Sequence, residues 1–342
     1  MRLIGMVASP TFVIINGVMV GFLHQTRGNG FDRFRAMLVD RGLFLLTIGH
    51  LVILGSHLSY TYRFLSITDT VGVAVLIGPW LVTKLRQRDR LLLSFAAYFL
   101  SWAIIQGWHP QSPVLDVVKE TIFGSLNPSI YYYAFPLLPW LSLDVAASVL
   151  GDCLGSLWIG DDIVGMQDLL VGTGGVGLAA AAAINGLAHL LRVEGSRYAA
   201  MAHAFASPFQ KEPPSLVYLL TYGALGLGLI AICLRLAQHK QATGLIGKAA
   251  TLGRNSFAVF VIQFYVYFTI LPLIHKHLPF EAAWWVYFPA SVLMISLPTL
   301  VWHRCGYNKF LTVGYRRGWM RAPITPGRPL GGFEVEELSR TA

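Results

Sequence analysis

The sequence predicts an all-α, polytopic membrane protein, and three observations carry that expectation. Of its 342 residues 55% are hydrophobic and only 13% charged, against about 25% charged in an ordinary soluble domain. The mean hydropathy is +0.57. The apolar residues fall in long blocks with no recurring strand-like alternation, which argues against a transmembrane barrel. The same composition excludes a soluble globular domain and a disordered chain, since disorder needs low hydrophobicity and high charge. Three scattered cysteines, Cys153, Cys233 and Cys305, make neither a disulfide framework nor a zinc site.

A helix that crosses the hydrocarbon core needs roughly 20 apolar residues. Nine blocks meet that need, near 3–23, 42–58, 67–83, 91–106, 133–156, 169–191, 214–236, 251–274 and 282–302. The second to fourth are short, so their ends are expected to tuck against neighbouring protein.

Orientation follows from the positive charge, which gathers in cytoplasmic loops. Taking alternate loops as cytoplasmic places 18 of the 26 Lys and Arg residues on one face. The main contributors are Arg27, Arg33, Arg35 and Arg41, then Lys84, Arg86, Arg88 and Arg90, and the tail from residue 303. The C-terminus is then cytoplasmic and Met1 lies outside. The net charge of +9 therefore reads as topology, and no nucleic-acid partner is expected. Loop 157–168 runs against the pattern, being acidic at Asp161, Asp162 and Asp168. An outside start is unusual, and the count reads as a chain one helix short, with ten spans in the complete fold.

The chain divides into a helical domain, 1–302, and a basic cytoplasmic tail, 303–342. The Tyr, Trp and Arg residues from His303 to Arg321 suit an interfacial segment on anionic lipid. Loop 107–132 is long for a connector and carries Trp108, His109, Asp116 and Glu120, so it is expected to cover a site on the outer face.

Ionisable groups inside a bilayer are costly and mark functional sites by default. Here the polar and ionisable residues are few: Asn16, His50, Asp69, Asp144, Asp152, Asn185, His189, Arg254, Asn255 and Gln263. Asn16, beside Gly17, reads either as a site residue or as a helix–helix hydrogen bond. His50 lies mid-span, with His57 two turns on. Asp69 reads as a base partner or as a cap shared with Thr68. Asp144 and Asp152, eight residues apart, share a helical face; they could relay protons, hold a cation or meet Arg254, while Asp152 could also be solvated at a helix end. Arg254 either snorkels to the interface or holds a phosphate or carboxylate.

Other motifs are weak. Gly172, Gly174 and Gly177 spell G-x-G-x-x-G, but inside an apolar span, where close helix packing explains them better. His189 and Glu194 resemble an H-x4-D acyltransferase pair with Glu in place of Asp.

Five segments together resemble the bacterial relatives of heparan-alpha-glucosaminide N-acetyltransferase. They are ASPTFVIINGVMVGFL at 8–23, RGLFLLTIGHLVI at 41–53, FPLLPWLSLDVAASVLGDCLGS at 135–156, FQKEPPSLVYLL at 209–220 and LGRNSFAVFVIQF at 252–264. They occur in the family's order. Pro136, Pro139 and Trp140 should kink a span and anchor it at an interface, and Pro214 with Ser215 suits a helix start. Two features depart from the family. Its first helix, with the expected catalytic histidine, has no counterpart here, and Gln263 and His50 stand where relatives often have His and Glu.

The resemblance implies an enzyme of the bacterial cytoplasmic membrane. It would move an acetyl or other acyl group from cytoplasmic acyl-CoA, acetyl-CoA foremost, to a sugar or lipid-linked acceptor. The expected catalytic set is His50 as base with Asp69 or Asp144 orienting it. Arg254, Asn255 and Asn16 would contact the donor. No metal is expected, and assembly with a second copy is left open. The alternatives are a proton-coupled transporter or lipid flippase using Asp144 and Asp152, and a truncated, non-catalytic membrane protein.

Overall fold

The computed structural model describes residues 2–56, 65–127, 135–190, 199–238, 243–275 and 284–311, together with Val313. His57, Glu194 and the tail beyond Val313 lie outside them. The described residues form fourteen α-helices and no strand. In chain order these are α1 (Arg2–Arg27), α2 (Phe31–Phe44), α3 (His50–Leu54), α4 (Ile67–Lys84), α5 (Gln87–Gly107), α6 (Pro113–Ile122) and α7 (Leu137–Ile159). There follow α8 (Ile163–Leu190), α9 (Ala199–Ala206), α10 (Leu216–Ala237), α11 (Thr243–Arg254), α12 (Ser256–Tyr265), α13 (Leu271–His275) and α14 (Trp284–Arg304). Single π-helical turns join α2 to α3 (Leu45–Gly49) and α12 to α13 (Val266–Ile270).

Nine helical stretches among the described residues are long and apolar enough to cross a bilayer, in register with the nine expected blocks. The second begins earlier than expected, running Phe34–Leu54. Its charged first half depresses hydropathy, yet Asp40 in that half is fully buried. The eighth block is not continuous. Asn255 breaks it with φ −105° and ψ 29°, so Arg254 closes α11 and the span is Ser256–Ile274. Loop 107–132 contains the helix α6.

The chain forms two compact units, Met1–Leu46 with Arg63–Arg235, and Thr47–Tyr62 with Leu236–Ala342. The first unit is organised on α1 and α7. Gly17 and Gly21 on α1, and Gly151 on α7, have no room for a Cβ, which would run into the carbonyl oxygens of Asp144, Ser148 and Val18. Helices in lipid gain little from burying more apolar surface, so small residues that admit close backbone contact are what hold them together. Ile14, Ala147, Leu154, Met166, Leu170 and Leu227 fill in around this seam. Gly174 and Gly177 of α8 approach the Ala224 and Leu220 carbonyls of α10 in the same way, whereas Gly172 faces open space.

Proline supplies further contacts, because a proline leaves the carbonyl four residues back without its helical donor. Pro10 frees the Met6 carbonyl, which accepts from Tyr218 Oη at 2.9 Å. Just ahead of α7, the Phe135 carbonyl accepts from Thr70 Oγ1 at 2.9 Å. Pro136 and Pro139 thus sit at the start of α7 and do not kink its middle. Trp140 is no interface anchor either. It is fully buried against Phe135 and Tyr218, because the first turn of α7 packs inside the bundle. Ser215 does open α10, its hydroxyl accepting from the Tyr218 N–H at 2.9 Å. The expected 157–168 loop is only a turn at 160–162, since α7 runs to Ile159 and α8, which holds Asp168, starts at Ile163; Asp162 accepts from the Gly165 N–H at 2.8 Å and caps α8.

Candidate functional site

Two polar clusters lie inside the first unit, both on α7. Near its middle, Asn16 Nδ2 of α1 donates to Asp144 Oδ1 at 2.6 Å, and Asp144 is 1% exposed. This is the interhelical bond that the Asn16–Gly17 pair suggested.

Two turns on, Asp152 gathers three partners. Oδ2 forms an ion pair with Arg90 Nη2 of α5 and accepts from Gln87 Nε2 at 3.4 Å. Oδ1 faces His24 Nδ1 of α1 at 3.4 Å. Arg90 Nη1 also donates to Ser148 Oγ at 2.8 Å, while its Nε is buried with no partner. His24 packs edge-on against Phe31 of α2, with ring centroids 5.2 Å apart. The carboxylate and guanidinium are 4% and 2% exposed, but the imidazole is 31% exposed. The cluster therefore has a shielded ionic base and an accessible ring at its rim.

Two expectations need correction here. Arg90 is not a loop charge but a buried residue of the first turn of α5. Asp152 is not solvated at a helix end, because Arg90 and Gln87 cover it. A hydropathy reading misses both, since Arg90 lies just beyond the apolar block and its partner is on another helix. His24 was hidden likewise, at the boundary between a span and a basic loop.

Asp69 is 5% exposed and engaged in a capping box. Its Oδ2 accepts from the Ser66 backbone N–H at 2.8 Å and the Ser66 hydroxyl at 3.1 Å. The cap partner is Ser66 and not Thr68, whose hydroxyl bonds to that of Ser66.

At the opposite end of the unit, Lys211 reaches Glu212 at 3.8 Å and lies over the Phe135 ring at 4.9 Å. Burial lowers the pKa of Lys211 and raises that of Glu212, and each partner's charge offsets part of the effect. Tyr98 Oη of α5 donates to the neighbouring Pro214 carbonyl at 3.0 Å.

The remaining expected site residues belong to the second unit. His50 is half-buried and opens α3 directly after a π-turn, a local widening often found at functional positions. Arg254 is exposed in the last turn of α11. Asn255 is 1% exposed; its Nδ2 donates to the Thr251 carbonyl at 2.6 Å and lies 3.3 Å from His303 Nδ1. Tyr265 Oη donates to the Val52 carbonyl at 2.8 Å, which ties α12 to α3. A cavity of about 480 Å³ between α12 and α14 is lined by apolar residues such as Val261, Leu293 and Leu297, with Tyr265 at its edge. Among the residues expected from sequence, the structure thus brings together Asn16 and Asp144, with Asp69 separately committed to its cap. Among the described residues no group of three or more His, Cys, Asp or Glu side chains is placed to hold a metal.

No family model matches the chain, and neither a curated protein nor a solved structure does. The class that the fold defines is a polytopic helical membrane protein.

Proposed function

We propose that this chain is an integral membrane acyltransferase that moves an acetyl or other acyl group from cytoplasmic acyl-CoA to a sugar or lipid-linked acceptor. The observation that carries the reading is the ordered set of five segments between residues 8 and 264 that resembles the N-acetyltransferase relatives. The reaction needs a base at the acceptor hydroxyl or amine and cations for the donor phosphates. In the second unit His50 and Arg254 suit those tasks. The amides of Asn16 and Asn255 are engaged within the protein, and the charge of Arg254, exposed in the last turn of α11, suits the donor phosphates. We place the chain in a bacterial cytoplasmic membrane with its C-terminus in the cytoplasm, on the strength of the charge asymmetry.

The test is transfer of label from radioactive acetyl-CoA to glucosamine or a glycolipid by the purified chain in liposomes. Wild-type transfer, lost in His50→Ala and Arg254→Ala at normal expression, supports the reading and both roles. Full activity in both variants removes the roles, and a wild-type chain that transfers nothing removes the reading.

A second reading, proton-coupled transport, is favoured by one observation: α7 carries two buried carboxylates, Asp144 and Asp152, each with polar partners on other helices. Proton-driven uptake into vesicles, abolished by Asp144→Asn, would establish it in place of acyl transfer.

A further inference from the structure

Building on the acyl-transfer reading, we propose that His24 takes and returns the proton in the transfer, that Asp152 positions its imidazole, and that Arg90 and Gln87 hold Asp152 in place. A general base must be both oriented and reachable. The cluster separates those two demands. Asp152 is held through Oδ2 by Arg90 and Gln87 of α5, so Oδ1 is left to face His24 Nδ1 at 3.4 Å. Arg90 is anchored in turn by Ser148, whose hydroxyl donates to the Val145 carbonyl at 2.6 Å. The Phe31 edge sets the plane of the ring. With Nδ1–H directed at the carboxylate, Nε2 is the basic nitrogen, and the ring's 31% exposure keeps it within a substrate's reach.

Position supports the same role. His24 lies in the last turn of α1, at the end of the unit where Lys84, Arg86 and Arg88 are exposed and where Arg27 and Arg35 follow on the chain. A polyanionic thioester such as acyl-CoA would be drawn to that end by its field. The base is thus placed at His24 in place of His50: transfer lost in His24→Gln and kept in His50→Ala supports this, and the reverse result overturns it.

In the step, the acceptor O–H or N–H gives its proton to Nε2 while its heteroatom bonds to the thioester carbonyl carbon. The C–S bond then breaks, its electron pair leaves on sulfur, and sulfur takes the proton back from Nε2. The products are the acylated acceptor and free CoA thiol, with no change of oxidation state.

The experiment uses the full chain in liposomes of phosphatidylethanolamine and phosphatidylglycerol, with acetyl-CoA as donor and glucosamine as acceptor, and follows thiol release. For His24→Gln, kcat is expected to fall about 100-fold or more, with KM for acetyl-CoA within about twofold of wild type, by the same reasoning that the base does not bind the donor. Added imidazole is expected to restore part of the rate to His24→Ala. Asp152→Glu, which keeps the buried charge, should lose kcat in the same sense while remaining folded. If the wild type releases thiol and His24→Gln matches its kcat, the role of His24 is overturned and the acyltransferase reading stands. A change confined to KM, with no imidazole rescue, also overturns it. If the wild type releases no thiol, the reading and the inference fall together.

Discussion

Arg90 and Asp152 form an ion pair between helices 62 residues apart in sequence, with their side chains 2% and 4% exposed. In a bilayer-spanning bundle each charge would be prohibitive alone, and each is retained by the other. The pair fixes α5 to α7 at one end of the first unit, and it presents the rest of the Asp152 carboxylate to His24.

Removing one partner should therefore cost more than removing both. Asp152→Asn leaves a buried guanidinium without its counter-ion, and a loss of about 3–5 kcal/mol is expected. Arg90→Met combined with Asp152→Leu should recover most of it. Thermal unfolding of the purified variants in one detergent checks this; equal losses in the single and double variants would refute it.

The α1–α7 seam predicts a sharp contrast between glycines. Gly21→Val forces a side chain into the Ser148 carbonyl and should cost about 1–3 kcal/mol or more through overpacking. Gly186→Val, where nothing lies within 4 Å of the added Cβ, should leave the melting temperature unchanged. The two melting curves, measured side by side, decide the matter.

Asn16→Leu deprives Asp144 of its 2.6 Å donor. A buried acceptor left unsatisfied costs about 1–3 kcal/mol. Replacing both residues by leucine should be milder than Asn16→Leu alone, which a double-mutant cycle on unfolding temperature would reveal.

Ser66→Ala removes the N-cap of α4, and an effect near 1 kcal/mol is expected. Hydrogen exchange should rise first in the opening turn, at Asp69 and Thr70, before the rest of the helix responds.

Charge asymmetry predicts the sidedness of the loops. In a chain whose native cysteines are replaced by alanine, Arg88→Cys should be shielded from an impermeant thiol reagent in intact cells. Gln111→Cys, on the next loop, should react. The reverse pattern would invert the topology.

The spans were legible because a run of apolar residues carries its own length. Where that signal blurred, charge was the cause: Asp40 shortened the second block on paper although it is buried in the helix. The face shared by Asp144 and Asp152 was also legible, since helical periodicity fixes it. What each carboxylate meets was not. Asn16 is 128 residues from Asp144, and Arg90 stood in the sequence as one more loop cation. Such pairings depend on which helices become neighbours, and a single sequence does not state that. Asp69 was read as a cap but with Thr68 as its partner, although a serine three residues before an aspartate, Ser66 here, is the local signature of a helix start.

The glycine seam bears on how the protein is made. On the α1 face that carries Asn16, Gly17, Gly21 and His24, the amide and the imidazole meet carboxylates of α7. At the usual pace of synthesis, 5–20 residues per second, the 128 residues between Asn16 and Asp144 take about 6–25 s to emerge. During that interval α1 lacks the carboxylates of α7 that its Asn16 amide and His24 imidazole meet in the finished fold. Biogenesis must therefore tolerate a half-built bundle, and factors that shelter polar intramembrane surfaces should leave α1 only as α7 arrives.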